Sequence, residues 1–223
     1  MALSDSQIER YSRQIIVPEV GGRGQERLLA SRLLIAGAPS DLEPVLAYMA
    51  GAGVGTIQVQ MHTESAKSDR SRVERAIADM RALNPDAKVV LARDFSDPAD
   101  LIVILADSVE SINLARELAN APRSQALILA RLDVPGKIAV MTKAPPCPAC
   151  ADAGLLAPAA ARAETAGFIA MAAAVEAFKL LIGRMPSAPT LLEFDGYQCA
   201  SREIKAAPKA ARCRCSIAQA EPR

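Results

Sequence analysis

Two short apolar runs, RLLIAG (Arg32–Gly37) and GVGTIQVQM (Gly53–Met61), flank a stretch of helical length, and this arrangement limits the chain more than any other feature. Strands joined by a helix lie parallel, and such a crossover is right-handed in nearly all cases. The turn that leaves the first strand is the odd part. Nucleotide-binding units of this kind place glycines there, so that backbone approaches a pyrophosphate and the helix N-terminus faces it. Here Gly37 is followed by Ala38, Pro39, Ser40, Asp41 and Leu42, with Asp41 placed to cap a helix running from Glu43 to Ala50. The turn is either a phosphate cradle or the frame of one that has lost its use.

The remaining pattern extends the same unit. Ser4 can cap a first helix, with Gln7 three residues on as in a capping box. A glycine-rich loop and a second helix precede RLLIAG. In the second strand Ile57, Val59 and Met61 alternate with Gln58 and Gln60, which predicts one less buried face. Val73, Ala76, Ile77, Met80 and Leu83 have the spacing of an amphipathic helix ending before Pro85. Strands AKVVLAR, ADLIVILA, QALILARL and GKIAVMT follow, with a helix in VESINLARELANA. An apolar helix from Ala163 to Gly183 and a hairpin-like pair in TLLEFDGYQCASREIKAA complete the order. The alternation predicts a doubly wound α/β fold with a mostly parallel, Rossmann-like sheet covered by helices. The expected organisation is an N-terminal helical arm (1–30), the sheet domain (31–205) and a C-terminal tail (206–223) carrying a C-x-C.

Composition removes several function classes. Of 223 residues 51% are hydrophobic, yet there is no Trp, with three Tyr and four Phe, so the core must be aliphatic. A formal charge of +1 gives no reason to expect nucleic acid or an anionic membrane as partner. Met1 to Arg27 is too polar for a signal peptide, and the apolar run Phe168–Ile182, broken by Glu176 and Lys179, is too short to span a bilayer. A cytosolic protein is expected, whose five cysteines are thiols or metal ligands. His62 is the one histidine, which removes Ser-His-Asp chemistry. Glu176 and Lys179, three apart, read as a helix-surface ion pair.

Several stretches together resemble the ubiquitin-activating-enzyme-like family of ThiF, MoeB and HesA type. They are RYSRQI (Arg10–Ile15), GQERLLASRLLIAG, AGVGTI (Ala52–Ile57), MRALNP (Met80–Pro85), PPCPAC, EAFKLLIG (Glu176–Gly183) and REIK (Arg202–Lys205). They occur in family order along nearly the whole chain. The resemblance implies a dimer that binds ATP with magnesium and adenylates the C-terminus of a small ubiquitin-like or sulfur-carrier protein, as in molybdopterin and thiamine synthesis.

Several of the family's ATP-binding positions are altered. Gly37 matches the first glycine of the family's G-x-G-G-x-G turn, but Pro39, Ser40 and Leu42 replace the later ones, and Pro39 also removes an N–H donor. Asp41 suits the helix dipole but repels phosphate. Gln60 stands where the family has a ribose-binding aspartate, and the family's Asn-Leu-x-Arg-Gln segment is absent. Arg72 replaces a lysine. Ile104 and Ser108 replace two members of an Asp-x-x-Asp-Asn cluster, leaving Asp107 as the one magnesium-binding match. Arg13 matches the arginine that reaches the partner's ATP site across the family dimer.

Cys147 and Cys150, with Cys213 and Cys215, stand where the family binds structural zinc through two C-x-x-C pairs, the second compressed here to C-x-C. Cys150 also fits a Cys-x-x-Ala-Gly string that follows the family's crossover loop, and Cys199 reads as packing. The count of lost ATP ligands points to a pseudoenzyme, with ATP and magnesium not bound. Such a chain would serve as homodimer or heterodimer partner of an active relative, or bind the carrier protein. The alternative is an active adenylyltransferase using Arg13, Arg72 and Asp107.

Overall fold

The computed structural model describes residues 2–61, 67–92, 98–118, 124, 126–133, 135–142, 150, 155, 166–195, 198 and 200–206. Three N-terminal helices, α1 (Asp5–Arg10), α2 (Ser12–Ile15) and α3 (Gly21–Ala30), lead into an eight-stranded sheet. Its strands are β1 (Arg32–Gly37), β2 (Thr56–Met61), β3 (Lys88–Leu91), β4 (Leu101–Ala106), β5 (Ala126–Arg131), β6 (Gly136–Thr142), β7 (Thr190–Asp195) and β8 (Ala200–Ile204). Helices α4 (Pro39–Ala52), α5 (Lys67–Leu83), α6 (Val109–Leu118) and α7 (Ala166–Leu181) cover it.

The spatial order is β3-β2-β1-β4-β5-β6-β7-β8. β1 to β5 are parallel, and β6 to β8 are added antiparallel. Alternate residues of each strand feed two cores. Leu33 and Ile35 join the layer that includes residues of α4, α5 and α7, while Leu34 and Ala36 join the α6 layer. This two-sided cover explains why β2 departs from its sequence pattern: Gln58 is only 7% exposed. No helix among the described residues is long and apolar enough to cross a membrane.

The predicted capping box at Ser4 is present, with Gln7 closing it. The start of α4 differs from expectation. Its N-cap is Ala38, Pro39 occupies the first turn, and Asp41 is a buried residue of that turn rather than the cap. A proline's fixed φ suits the first helical position, so the helix begins three residues before an Asp41 cap would start it.

Three of the stretches that carry the family resemblance meet at the amino edge of the parallel strands. Tyr11 is buried, and the Asn84 amide donates to its hydroxyl (2.9 Å) and to the Ala50 carbonyl (2.6 Å). The Tyr11 hydroxyl donates to Asp86 (3.1 Å), which Arg10 also pairs at 3.2 Å. Gln14 and Gln25 both donate to the Ala52 carbonyl. Gly53 caps α4 at φ +89°, where a Cβ would lie 2.7 Å from the Tyr11 ring. At Gly55 a Cβ would lie 1.8 Å from the Leu29 carbonyl oxygen, so the motif's second glycine permits a backbone crossing that no side chain allows.

Candidate functional site

Strand order reverses between β1 and β4, since β2 and β3 lie on one side of β1 and β4 and β5 on the other. In open α/β sheets the crevice beyond the carboxyl ends at such a switch point is where ligands bind. Ala36 is level with Gln60 on one side and Ile104 on the other. The sequence-predicted residues Gly37, Gln60 and Asp107 therefore sit together at this edge, Asp107 one residue beyond β4.

Several residues at this edge serve the protein's own packing and capping. Gly37 is buried at the end of β1, and a Cβ there would come within 3.0 Å of the Leu105 Cβ, so strand packing alone accounts for the glycine. Ile104, in place of an aspartate, is wholly buried in the α6-side core. Ser108 and Ser111 cap α6 reciprocally: the Ser111 amide donates to the Ser108 hydroxyl (3.2 Å), and the Ser108 amide donates to the Ser111 hydroxyl (3.1 Å). The Gln60 Oε1 is the exception, a buried acceptor with no hydrogen-bond partner among the described residues. Such an atom costs about 1–3 kcal/mol until a donor meets it.

The N-terminus of α4 offers little to an anion. Open amides of the first turn are what make helix N-termini bind phosphate. Pro39 has none, and the Asp41 amide donates to the Ala38 carbonyl at 3.0 Å. Asp41 is buried in the same turn, and a carboxylate in the first turn of a helix suits the dipole but repels phosphate. One turn on, Glu43 pairs with Arg72 of α5. The Arg72 hydrogen bond, aided by the charges of Arg72 and Arg75, holds the Glu43 carboxyl below the usual carboxylate range. Arg72, a residue of the alternative adenylyltransferase reading, is thus engaged by a carboxylate of this chain.

Arg13 is not brought to the crevice. It is exposed on α2, between Tyr11 and Gln14, both anchored at the opposite, amino edge. Of the four predicted zinc ligands, Cys147, Cys213 and Cys215 lie outside the described residues, as do His62 and Cys199. Cys150 is partly buried and forms no disulfide. Among the described residues no three His, Cys, Asp or Glu side chains group as a metal site.

One feature of this edge was not anticipated. Arg131 ends β5 level with Ala106 of β4 and forms a buried ion pair with Asp133, each about 5% exposed. A second guanidinium nitrogen donates to the Leu155 carbonyl at 3.2 Å. The available signal is the arginine that closes the otherwise apolar ALILAR, two residues before an aspartate. A charge at the end of a fully buried strand needs a partner.

The ThiF family pattern matches residues 11–215. The chain is 27% identical, over an alignment of 250 positions, to the adenylyltransferase and sulfurtransferase MOCS3 of Aedes aegypti, covering 95% of this chain and 56% of that protein. It is 27% identical over 268 positions to the adenylyltransferase and sulfurtransferase uba4 of Aspergillus niger, covering 98% and 54%. The SAMP-activating enzyme E1 of Haloferax volcanii is 34% identical over 121 positions, 48% of this chain and 45% of that one. The chain thus spans about half the length of the curated relatives it matches. Among solved structures, E. coli MccB with ATP has the same fold, with a TM-score of 0.68 at 16% identity over 92% of this chain and 73% of that chain.

Proposed function

The chain belongs to the ThiF family, and on that premise we propose that it is a non-catalytic member, one that keeps the fold and has given up ATP. The observation that carries this reading is the state of the crevice. Pro39 and Asp41 close the α4 terminus to phosphate, Arg72 is held by Glu43, and Ile104 stands in the core where a magnesium ligand belongs. Fold alone would not decide the matter, because one fold hosts many functions. Each charged hydrogen bond withdrawn from a triphosphate removes about 1.5–3 kcal/mol of binding. Three such losses would raise a dissociation constant by more than about a thousandfold. The role left to such a chain is that of a cytosolic dimer subunit or a binder of a small ubiquitin-like, sulfur-carrier protein. Paired with an active relative, the exposed Arg13 would reach that partner's nucleotide. Calorimetry of the purified chain with ATP and magnesium is expected to give no heat of binding. Micromolar affinity, or ATP–pyrophosphate exchange in the presence of a carrier protein, overturns the reading.

A second reading has one observation in its favour. The Gln60 Oε1, buried without a partner among the described residues, belongs to the residue read as the family's ribose position and would accept from a hydroxyl. In that case the chain is an adenylyltransferase like its named relatives, acting with Asp107, Arg72 and a partner's Arg13. The same titration separates the two.

We also propose a structural zinc held by Cys147, Cys150, Cys213 and Cys215, four thiolates being a common tetrahedral zinc set. Metal analysis of the purified chain is expected to give one zinc per chain, falling to near zero in the Cys147→Ser/Cys150→Ser variant. A wild-type ratio near zero removes the site.

A further inference from the structure

The N-terminal arm, Ser4 to Val17, is joined to the sheet by few contacts. Helices α1 and α2 bury no residue, and Tyr11 between them is the arm's one buried residue. Ile8, Ile16 and Val17 stay 48%, 77% and 40% exposed. A segment that buries so little apolar surface has low local stability. Among the described residues, the backbone hydrogen bonds of 4–17 close within the stretch ending at Gly21, so none of them ties the arm to the sheet. What ties it is a group of side chains converging on one carboxylate. Asp86, between α5 and β3, accepts from the Gln7 amide at 3.2 Å and the Tyr11 hydroxyl at 3.1 Å, and pairs with Arg10 at 3.2 Å. Among the described residues, every bond of the Asp86 side chain goes to the arm.

The rest of the chain keeps its own bonds without the arm. The Ala52 carbonyl, which accepts from Gln14, also accepts from Gln25 of α3 at 3.1 Å. Asn84 holds the Ala50 carbonyl and the Asp86 amide whether or not Tyr11 is present. The joint is suited to turning. Val20 already packs against the core, and Gly21 beside it stands at φ +58°, a conformation glycine adopts without strain. We propose that the arm is a detachable strap, latched by Asp86 and Tyr11, that undocks as a unit while the sheet stays folded. Arg13 rides on it. Docked, Arg13 stands between two anchored residues, Tyr11 and Gln14. Released, it leaves with the arm and bares the slot beside Gly53, Gln25 and Asn84 that the Tyr11 ring fills. The latch therefore sets whether Arg13 is held in one place. This device goes beyond the reading of the crevice and is independent of whether ATP binds.

Native-state hydrogen exchange of the full chain, followed at rising urea below the unfolding transition, tests it without nucleotide. The amides of Ile8, Tyr11, Ile15 and Ile16 donate within the arm. They are expected to exchange through one common opening, populated at least about 100-fold more than the opening that frees the buried β4 amides. Its urea dependence is expected to be small, because undocking exposes little surface. Asp86→Ala removes all three ties to that carboxylate and is expected to speed exchange of the arm amides about tenfold or more, the arm still opening ahead of β4. Tyr11→Phe keeps the ring in its slot, and is expected to speed the same amides by a smaller factor. Fraying would differ from amide to amide and would ignore Asp86. Arm amides that exchange only together with those of β4, at the same urea dependence, overturn the proposal, and so do arm amides indifferent to both substitutions. None of these results bears on the ATP titration, so the two readings fail separately.

Discussion

Replacing Asp133 by leucine is expected to cost about 3–5 kcal/mol of folding stability, because it leaves the Arg131 guanidinium buried without its counter-charge. Both residues are about 5% exposed, so water cannot take over the role of the carboxylate without opening the end of β5. The bond to the Leu155 carbonyl brings a neutral acceptor and does not replace the lost carboxylate charge. Removing both charges is a different experiment. The double variant Arg131→Met/Asp133→Leu loses the bond to Leu155, about 1 kcal/mol, but removes both members of the buried ion pair together. It is expected to recover most of the single variant's loss. Urea unfolding of the wild type, both single variants and the double variant closes the cycle and yields the coupling directly. A loss below about 1 kcal/mol for Asp133→Leu would mean that solvent reaches the pair and that it does not hold the carboxyl edge together.

That pair also marks where sequence reasoning stopped. The order of strands and helices was legible because the period of hydrophobicity switches between two and about three and a half, and because β1, β4 and β5 read as short apolar runs. Local choices were less so. Asp41 looks like a helix cap until Pro39 is seen to start α4 earlier, and Gln58 looks like a solvent position until α6 is seen on that side of the sheet. Arg131 and Asp133 look like an ordinary turn, since a partner of the buried arginine, the Leu155 carbonyl, lies 24 residues beyond it. The substitutions in the crevice were plain as identities, but not what the new residues do. No local pattern says that Ser108 spends its hydroxyl on α6 or that Arg72 finds Glu43. The division follows the two edges of the sheet. RYSRQI, AGVGTI and MRALNP converge at the amino edge, where they brace the fold, whereas the departures from the family pattern lie at the carboxyl edge. A resemblance carried by bracing residues speaks for architecture and leaves activity to be argued from the crevice.

The bracing can be measured at Asn84. Its amide holds the Ala50 carbonyl near the end of α4 and the Tyr11 hydroxyl of the N-terminal arm, and its carbonyl oxygen accepts from the Asp86 amide at 3.1 Å. Asn84→Ala removes one of the two donors on the Ala50 carbonyl, which keeps the Gly53 amide, and takes away the acceptor of the Asp86 amide; it is expected to cost about 1–3 kcal/mol. Tyr11→Phe keeps the ring against Gly53 and loses only the hydroxyl, with an expected cost of about 1–2 kcal/mol at neutral pH. The same hydroxyl gives the cluster an alkaline signature. Burial, reinforced by the Asp86 carboxylate and opposed by the Asn84 hydrogen bond, pushes the Tyr11 pKa up from 10 to about 12. The folded chain therefore holds a proton that the unfolded chain releases near pH 10. The associated stability is complete below that pH and is lost as pH rises toward 12, up to about 2–3 kcal/mol in all. Other tyrosines and lysines titrate in the same window, so the quantity to read is the difference between wild type and Tyr11→Phe. Urea midpoints from pH 9 to pH 12 are expected to converge as the wild type loses this contribution and the variant does not. Parallel curves would show that Tyr11 is open to solvent and that the arm is fastened to the amino edge by something other than this network.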